Sequence, residues 1–93
     1  MANNLFISYD LRSPGQGYTR VIEAIKELGP WAKVQESVWY VNASMTAEFA
    51  AKRVWSEMDA NDRLIVVDAT NNDAYWYNLT DSVAKHMQSN WRY

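Results

Sequence analysis

Ninety-three residues, 48% hydrophobic and 14% aromatic with five Trp and six Tyr, make one small domain with more large apolar surface than it easily hides. The absence of cysteine excludes disulfides, thiolate metal sites and a cysteine nucleophile, and a single histidine, His86, leaves no ligand set for zinc. Residues 1–33 carry four basic and three acidic side chains, residues 34–93 five and eight, for a net charge of −2. No basic stripe of the kind a non-specific duplex binder presents emerges from that balance, so any nucleic-acid contact should be local and weak.

In chain order, Leu5 to Asp10 (LFISYD) reads as a strand, with Leu5, Ile7 and Tyr9 on one face and Phe6, Ser8 and Asp10 on the other. Ser13 and Pro14, with Gln16 three residues after the serine, look like a helix N-cap and first-turn proline. The helix that follows carries Tyr18, Val21, Ile22, Ile25 and Leu28 at amphipathic spacing, and Gly29-Pro30 ends it. Lys33 to Asn42 reads as two short strands with a break near Gln35-Glu36.

Thr46 caps a second predicted helix, whose apolar stripe is Ala47, Ala50, Ala51, Val54, Trp55 and Met58. Three alanines in that stripe let the helix approach a sheet closely. Asp59 to Asp62 reads as a turn, and Leu64 to Val67 as an apolar strand wanting cover on both faces. Tyr75-Trp76-Tyr77 is taken as an aromatic turn. Thr80 to Trp91 is taken as a third helix with Leu79, Val83, Met87 and Trp91 on one side.

The resulting fold class is α+β: a ferredoxin-like βαββαβ sandwich with an additional C-terminal helix. Both core helices should cover one sheet face. The other, carrying Phe6 and residues of the strand near 38–41, is too apolar to stay wet and should pair with a second copy. With no apolar run of eighteen residues and no basic-then-apolar start, a membrane span and a leader are not expected, and the cytoplasm is the expected location.

Several constellations bear on chemistry. Asp10 ends the first strand. Two such carboxylates across a twofold axis would repel unless a cation or proton sat between them; alternatively Asp10 caps the loop after it. Pro14-Gly-Gln-Gly17 lies between strand and helix, where amides can hold an anion, but turn chemistry explains it equally and the lysine of a nucleotide loop is missing. Tyr75-Trp76-Tyr77 with Trp39 and Tyr40 can stack unpaired bases, or fill core and interface. His86 has no partner at metal-ligand spacing and reads as a solvated helix residue.

The string Leu5-Phe-Ile-Ser-Tyr-Asp-Leu, then Ser-Pro-Gly-Gln, Val21-Ile-Glu-Ala-Ile-Lys and Gly29, resembles a group of small bacterial proteins. The resemblance continues through Trp31, Glu36-Ser-Val-Trp39 and Met58-Asp-Ala-Asn-Asp-Arg-Leu-Ile-Val-Val67, covering about residues 4–79. That group is similar to the superfamily of the smaller CRISPR adaptation protein and the VapD toxins. The shared features are Tyr9-Asp10 at the strand end, Ser37-Val38-Trp39 in place of Ser-Val-Phe, and the late apolar strand.

The resemblance implies a ferredoxin-like homodimer in which the strand-end aspartates face one another. A divalent ion, Mg2+ or Mn2+, lies between them for endoribonuclease or endonuclease action. Carried over by residue, Asp10 takes the metal and catalytic position and Ser37 the strand serine. Arg12 or Arg20 stands near the basic position after the aspartate. The extra C-terminal strand that stitches that superfamily's dimer looks absent here, replaced by the aromatic turn and a helix. The function expected is RNA or single-stranded nucleic-acid processing. The alternative is a non-catalytic homodimeric interaction module for protein or nucleic acid, and a small-molecule-binding regulatory domain of the same strand order is more remote.

Overall fold

A computed structural model describes residues 3–11, 18–70 and 73–90. In chain order the elements are β1 (Asn3–Asp10), α1 (Tyr18–Glu27), β2 (Trp31–Gln35), β3 (Val38–Ala43), α2 (Ala47–Trp55), β4 (Arg63–Asp68), β5 (Asp73–Tyr77) and α3 (Asp81–Asn90). The five strands form one sheet in the order β2-β3-β1-β4-β5, with every neighbouring pair antiparallel. The architecture is α+β, compatible with a ferredoxin-like fold.

Period-2 alternation decides what each sheet face holds. Leu5, Ile7 and Tyr9 of β1, Trp39, Val41 and Ala43 of β3, and Leu64 and Val66 of β4 are buried on the face that the helices cover. α1 contributes Val21, Ala24 and Ile25 to that core, and Leu28 joins them from the turn after it. α2 contributes Ala47, Ala50, Ala51 and Val54, all fully buried, and packs on β4 and β5. Removing those alanine-lined surfaces from water, at about 25 cal/mol per Å² of apolar area, is what holds so thin a core together.

The second face is less enclosed among the described residues. It carries Phe6, Val38, Tyr40, Ile65, Val67 and, on the edge strand, Trp76, placed there by the pairings Phe6–Tyr40, Ser8–Val38, Phe6–Val67 and Ile65–Trp76. Phe6 is 39% exposed and its ring meets Tyr40 at 5.5 Å between centroids.

Local signals set the boundaries. Thr46 caps α2, its Oγ1 accepting from the Phe49 N–H at 3.1 Å. Gly29 ends the corner after α1 because a Cβ there would collide with the Asn42 carbonyl oxygen. The same approach lets the Asn42 N–H donate to the Pro30 carbonyl at 2.8 Å, tying the corner to β3. The Ser13 cap and Pro14 fall outside the described residues; α1 as described begins at Tyr18.

Three expectations are corrected. Tyr75-Trp76-Tyr77 is not a turn but the body of β5, hydrogen-bonded to β4, so the sheet has five strands where the sequence reading expected four. Trp55 is half-buried rather than central to the core, its ring stacked on Tyr77 at 4.6 Å with 4° between planes. α3 leaves Val83 46% exposed, and Met87 and Trp91 lie outside what is described of side chains. No helix is long and apolar enough to cross a membrane among the described residues.

Candidate functional site

β1 is the central strand, and Asp10 is its last residue, on the open face and exposed to solvent. Its cross-strand partner on β4 is Arg63, so the two side chains leave the sheet from opposed positions on one face. Opposed pairs of this kind have Cβ atoms about 4.5–5.5 Å apart. One step back along β1, the Tyr9 N–H donates to the Ser37 carbonyl at 3.1 Å, which draws the β2–β3 turn against the end of β1. Asp10 and Ser37 are therefore gathered at one end of the sheet, Ser37 through its backbone.

Between them and β4 lies an open hollow of about 150 Å³, lined by Ser8, Asp10, Arg63, Ile65 and Leu79. Leu79 reaches it because Asn78 turns the chain after β5 with φ of 63°, a left-handed conformation that asparagine tolerates better than most residues. The Asn78 side chain holds that turn by donating from Nδ2 to the Ala60 carbonyl at 3.0 Å and to the Asp62 carbonyl. Asp62 is buried, with Oδ2 accepting from the Asp59 N–H at 2.8 Å, so the 59–62 turn and the 78–79 turn brace one another.

The remaining expected site residues fall elsewhere. Arg12 lies outside the described residues, as do Pro14 to Gly17. Arg20 is exposed on the first turns of α1. Trp39 is 3% exposed and lies on the helix-covered face, where its Nε1–H donates to Tyr9 Oη at 3.2 Å and its ring meets Trp31 at 5.4 Å. A ring enclosed in this way cannot stack on a base, so packing is the role its position supports and the nucleic-acid role expected of it is corrected. The aromatic segment divides likewise: Tyr75 and Tyr77 pack toward the core while Trp76 takes the open face. Burial pushes the Tyr77 phenol up from its ordinary range, the neighbouring Tyr75 adding to it. On the same side, the Glu48 carboxylate, bonded to Lys52 at 2.7 Å, raises the Lys52 ammonium.

Arg63 is the residue the sequence reading missed. Among the described residues its side chain makes no hydrogen bond or ion pair, yet it lines the hollow beside Asp10. Among the described residues the donor set for a metal is thin: no group of three His, Asp or Glu side chains could hold an ion, and Asp10 is the one carboxylate of those that line the hollow. The described residues of one chain do not by themselves make a divalent-cation site, and no hydrolytic step is derived from them. Compared with known protein families, with curated proteins and with solved structures, the chain finds no match.

Proposed function

We propose that the chain works as a cytoplasmic homodimer with a ferredoxin-like fold, paired through its open sheet face, that processes RNA. In that dimer the Asp10 carboxylates of two copies together hold Mg2+ or Mn2+, hard cations that favour oxygen ligands. The reading follows the resemblance to the superfamily of the smaller CRISPR adaptation protein and the VapD toxins. The single observation that carries it is the place of Asp10: solvent-exposed, at the end of the central strand, on the apolar face that a second copy would cover. A twofold pairing that overlaps those strand ends would bring a second Asp10 carboxylate to the first.

A second reading has its own observation. Arg63 stands opposite Asp10 and adds positive charge to the same hollow, which offsets a carboxylate as a metal ligand and suits an anion instead. On that reading the protein is a homodimeric module that binds nucleic acid without cutting it.

Cleavage of single-stranded RNA by the purified wild type and by Asp10→Asn, with EDTA and added-metal arms, separates the two. The nuclease reading expects metal-dependent cleavage by the wild type and a loss on the order of a hundredfold or more in Asp10→Asn, the scale on which a lost transition-state interaction acts. Equal cleavage by both proteins would assign the activity to a contaminant, and no cleavage by the wild type in any metal leaves the binding module.

A further inference from the structure

The hollow beside Asp10 does not end at Arg63. On the other side of that residue a second, larger one of about 470 Å³ opens, lined by Ala60, Asn61, Arg63, Asn78, Leu79 and Thr80. Arg63 and Leu79 line both, so the two hollows adjoin at those residues and are taken together as a groove. From the position of its unengaged guanidinium, we infer that this groove seats a backbone phosphate of single-stranded RNA, with Arg63 as the binding residue. The inference rests on the RNA reading above and names the contact by which the substrate is held.

The groove has the chemistry a phosphodiester needs. A guanidinium offers a planar fork of donors that matches phosphate oxygens two at a time, and this one makes no hydrogen bond or ion pair among the described residues. Asn61 is exposed beside it and brings an amide donor. Thr80 Oγ1 accepts from the Val83 N–H at 3.4 Å and shares a 3.4 Å hydrogen bond with Ser82 Oγ in which either hydroxyl can donate. Leu79, half-buried between the two hollows, supplies an apolar floor of the kind a ribose or base edge covers.

Charge fixes where along the groove the phosphate sits. Asp10 at one end repels phosphate oxygens, so the anion belongs on the Asn61 and Thr80 side of Arg63. Asp62, the nearest acidic residue in sequence, is buried, with Oδ2 accepting from the Asp59 N–H at 2.8 Å. The bracing of the 78–79 turn by Asn78 holds the groove in shape before any ligand arrives. A site built on one guanidinium also agrees with a chain of net charge −2.

The test is fluorescence anisotropy of a labelled single-stranded RNA in EDTA over a series of salt concentrations, with wild type, Arg63→Gln, Arg63→Lys and Asp10→Asn. Arg63→Gln is expected to weaken binding about tenfold at low salt and to reduce the slope of log K against log salt by about 0.7, the value of one phosphate contact on a single strand. Arg63→Lys keeps the charge and most of that slope but loses the bidentate geometry, so it binds between the two. Asp10→Asn is expected to bind more tightly than wild type. No detectable RNA binding by the wild type, or wild-type affinity and slope in Arg63→Gln with circular dichroism unchanged, overturns the inference. So does displacement of the RNA by inorganic phosphate at the concentration of nucleotide phosphate, which identifies a free-phosphate site instead. Because binding is read without metal, lost binding in Arg63→Gln stands even if the wild type never cleaves. Cleavage with unchanged Arg63→Gln binding removes this inference and leaves the nuclease reading.

Discussion

Trp39→Phe separates a packing residue from a recognition residue at the position where sequence and structure disagree most. The indole is 3% exposed, and its Nε1–H donates to Tyr9 Oη at 3.2 Å in the buried layer between sheet and helices. Phenylalanine keeps an aromatic ring there, removes the donor and leaves space where the second ring was. Loss of a buried hydrogen bond costs about 1 kcal/mol, and the uncollapsed part of the void adds about another 1 kcal/mol, so the expected destabilisation is about 2 kcal/mol. Truncation to alanine would cost about 3–5 kcal/mol, a large share of the roughly 5–14 kcal/mol that holds a domain of this length, which makes phenylalanine the informative variant. Urea unfolding followed by far-ultraviolet circular dichroism measures the change as a shift of midpoint at constant slope. RNA binding by the folded variant should match wild type. A loss of stability below about 0.5 kcal/mol together with weakened RNA binding would refute the reasoning and return Trp39 to the recognition surface.

Two further outcomes follow from particular contacts. Gly29→Ala should destabilise by about 2–3 kcal/mol in the same assay, because the added methyl meets the Asn42 carbonyl and must displace the corner held by the Asn42 N–H to Pro30 bond; a neutral result would mean that this corner is slack. Burial raises the Tyr77 phenol above its unfolded value of 10.0, so its contribution to stability is complete below that pH and is lost as pH climbs through the folded value. Urea midpoints measured from neutral into alkaline pH should therefore fall less steeply above pH 10 in Tyr77→Phe than in wild type, and parallel curves would show that Tyr77 carries no such linkage.

Most of the fold is legible in the sequence because its periodicities are clean. The alternation of Leu5, Ile7 and Tyr9 against Phe6, Ser8 and Asp10 assigns both faces of β1, and the alanine stripe of α2 identifies the surface that meets the sheet. β5 was missed because Tyr75, Trp76 and Tyr77 are all aromatic, so no contrast between apolar and polar residues marks the alternation. The pairing with β4 is what separates the two tyrosines from the tryptophan. Trp39 was misread for a related reason: Trp39 and Tyr40 are neighbours of similar chemistry, and which of them faces the helices follows from the register with Ile7 and Phe6.

The candidate site was legible only at Asp10. Arg63 opens an apolar strand and carries no local motif, and its place opposite Asp10 appears once β1 and β4, distant in sequence, are paired. Leu79 and Thr80 join the groove through the left-handed turn at Asn78, whose anchors are backbone carbonyls of another turn. Side chain-to-backbone bracing of that kind leaves little trace in a single sequence.

Everything proposed for Asp10 depends on a second copy, because the described residues of one chain bring a single carboxylate to the hollow and leave Phe6 exposed on the apolar sheet face. Static light scattering on the purified chain at micromolar concentration tests that dependence directly. The expected mass is twice 10.8 kDa, and a mass of 10.8 kDa across that range would contradict the account.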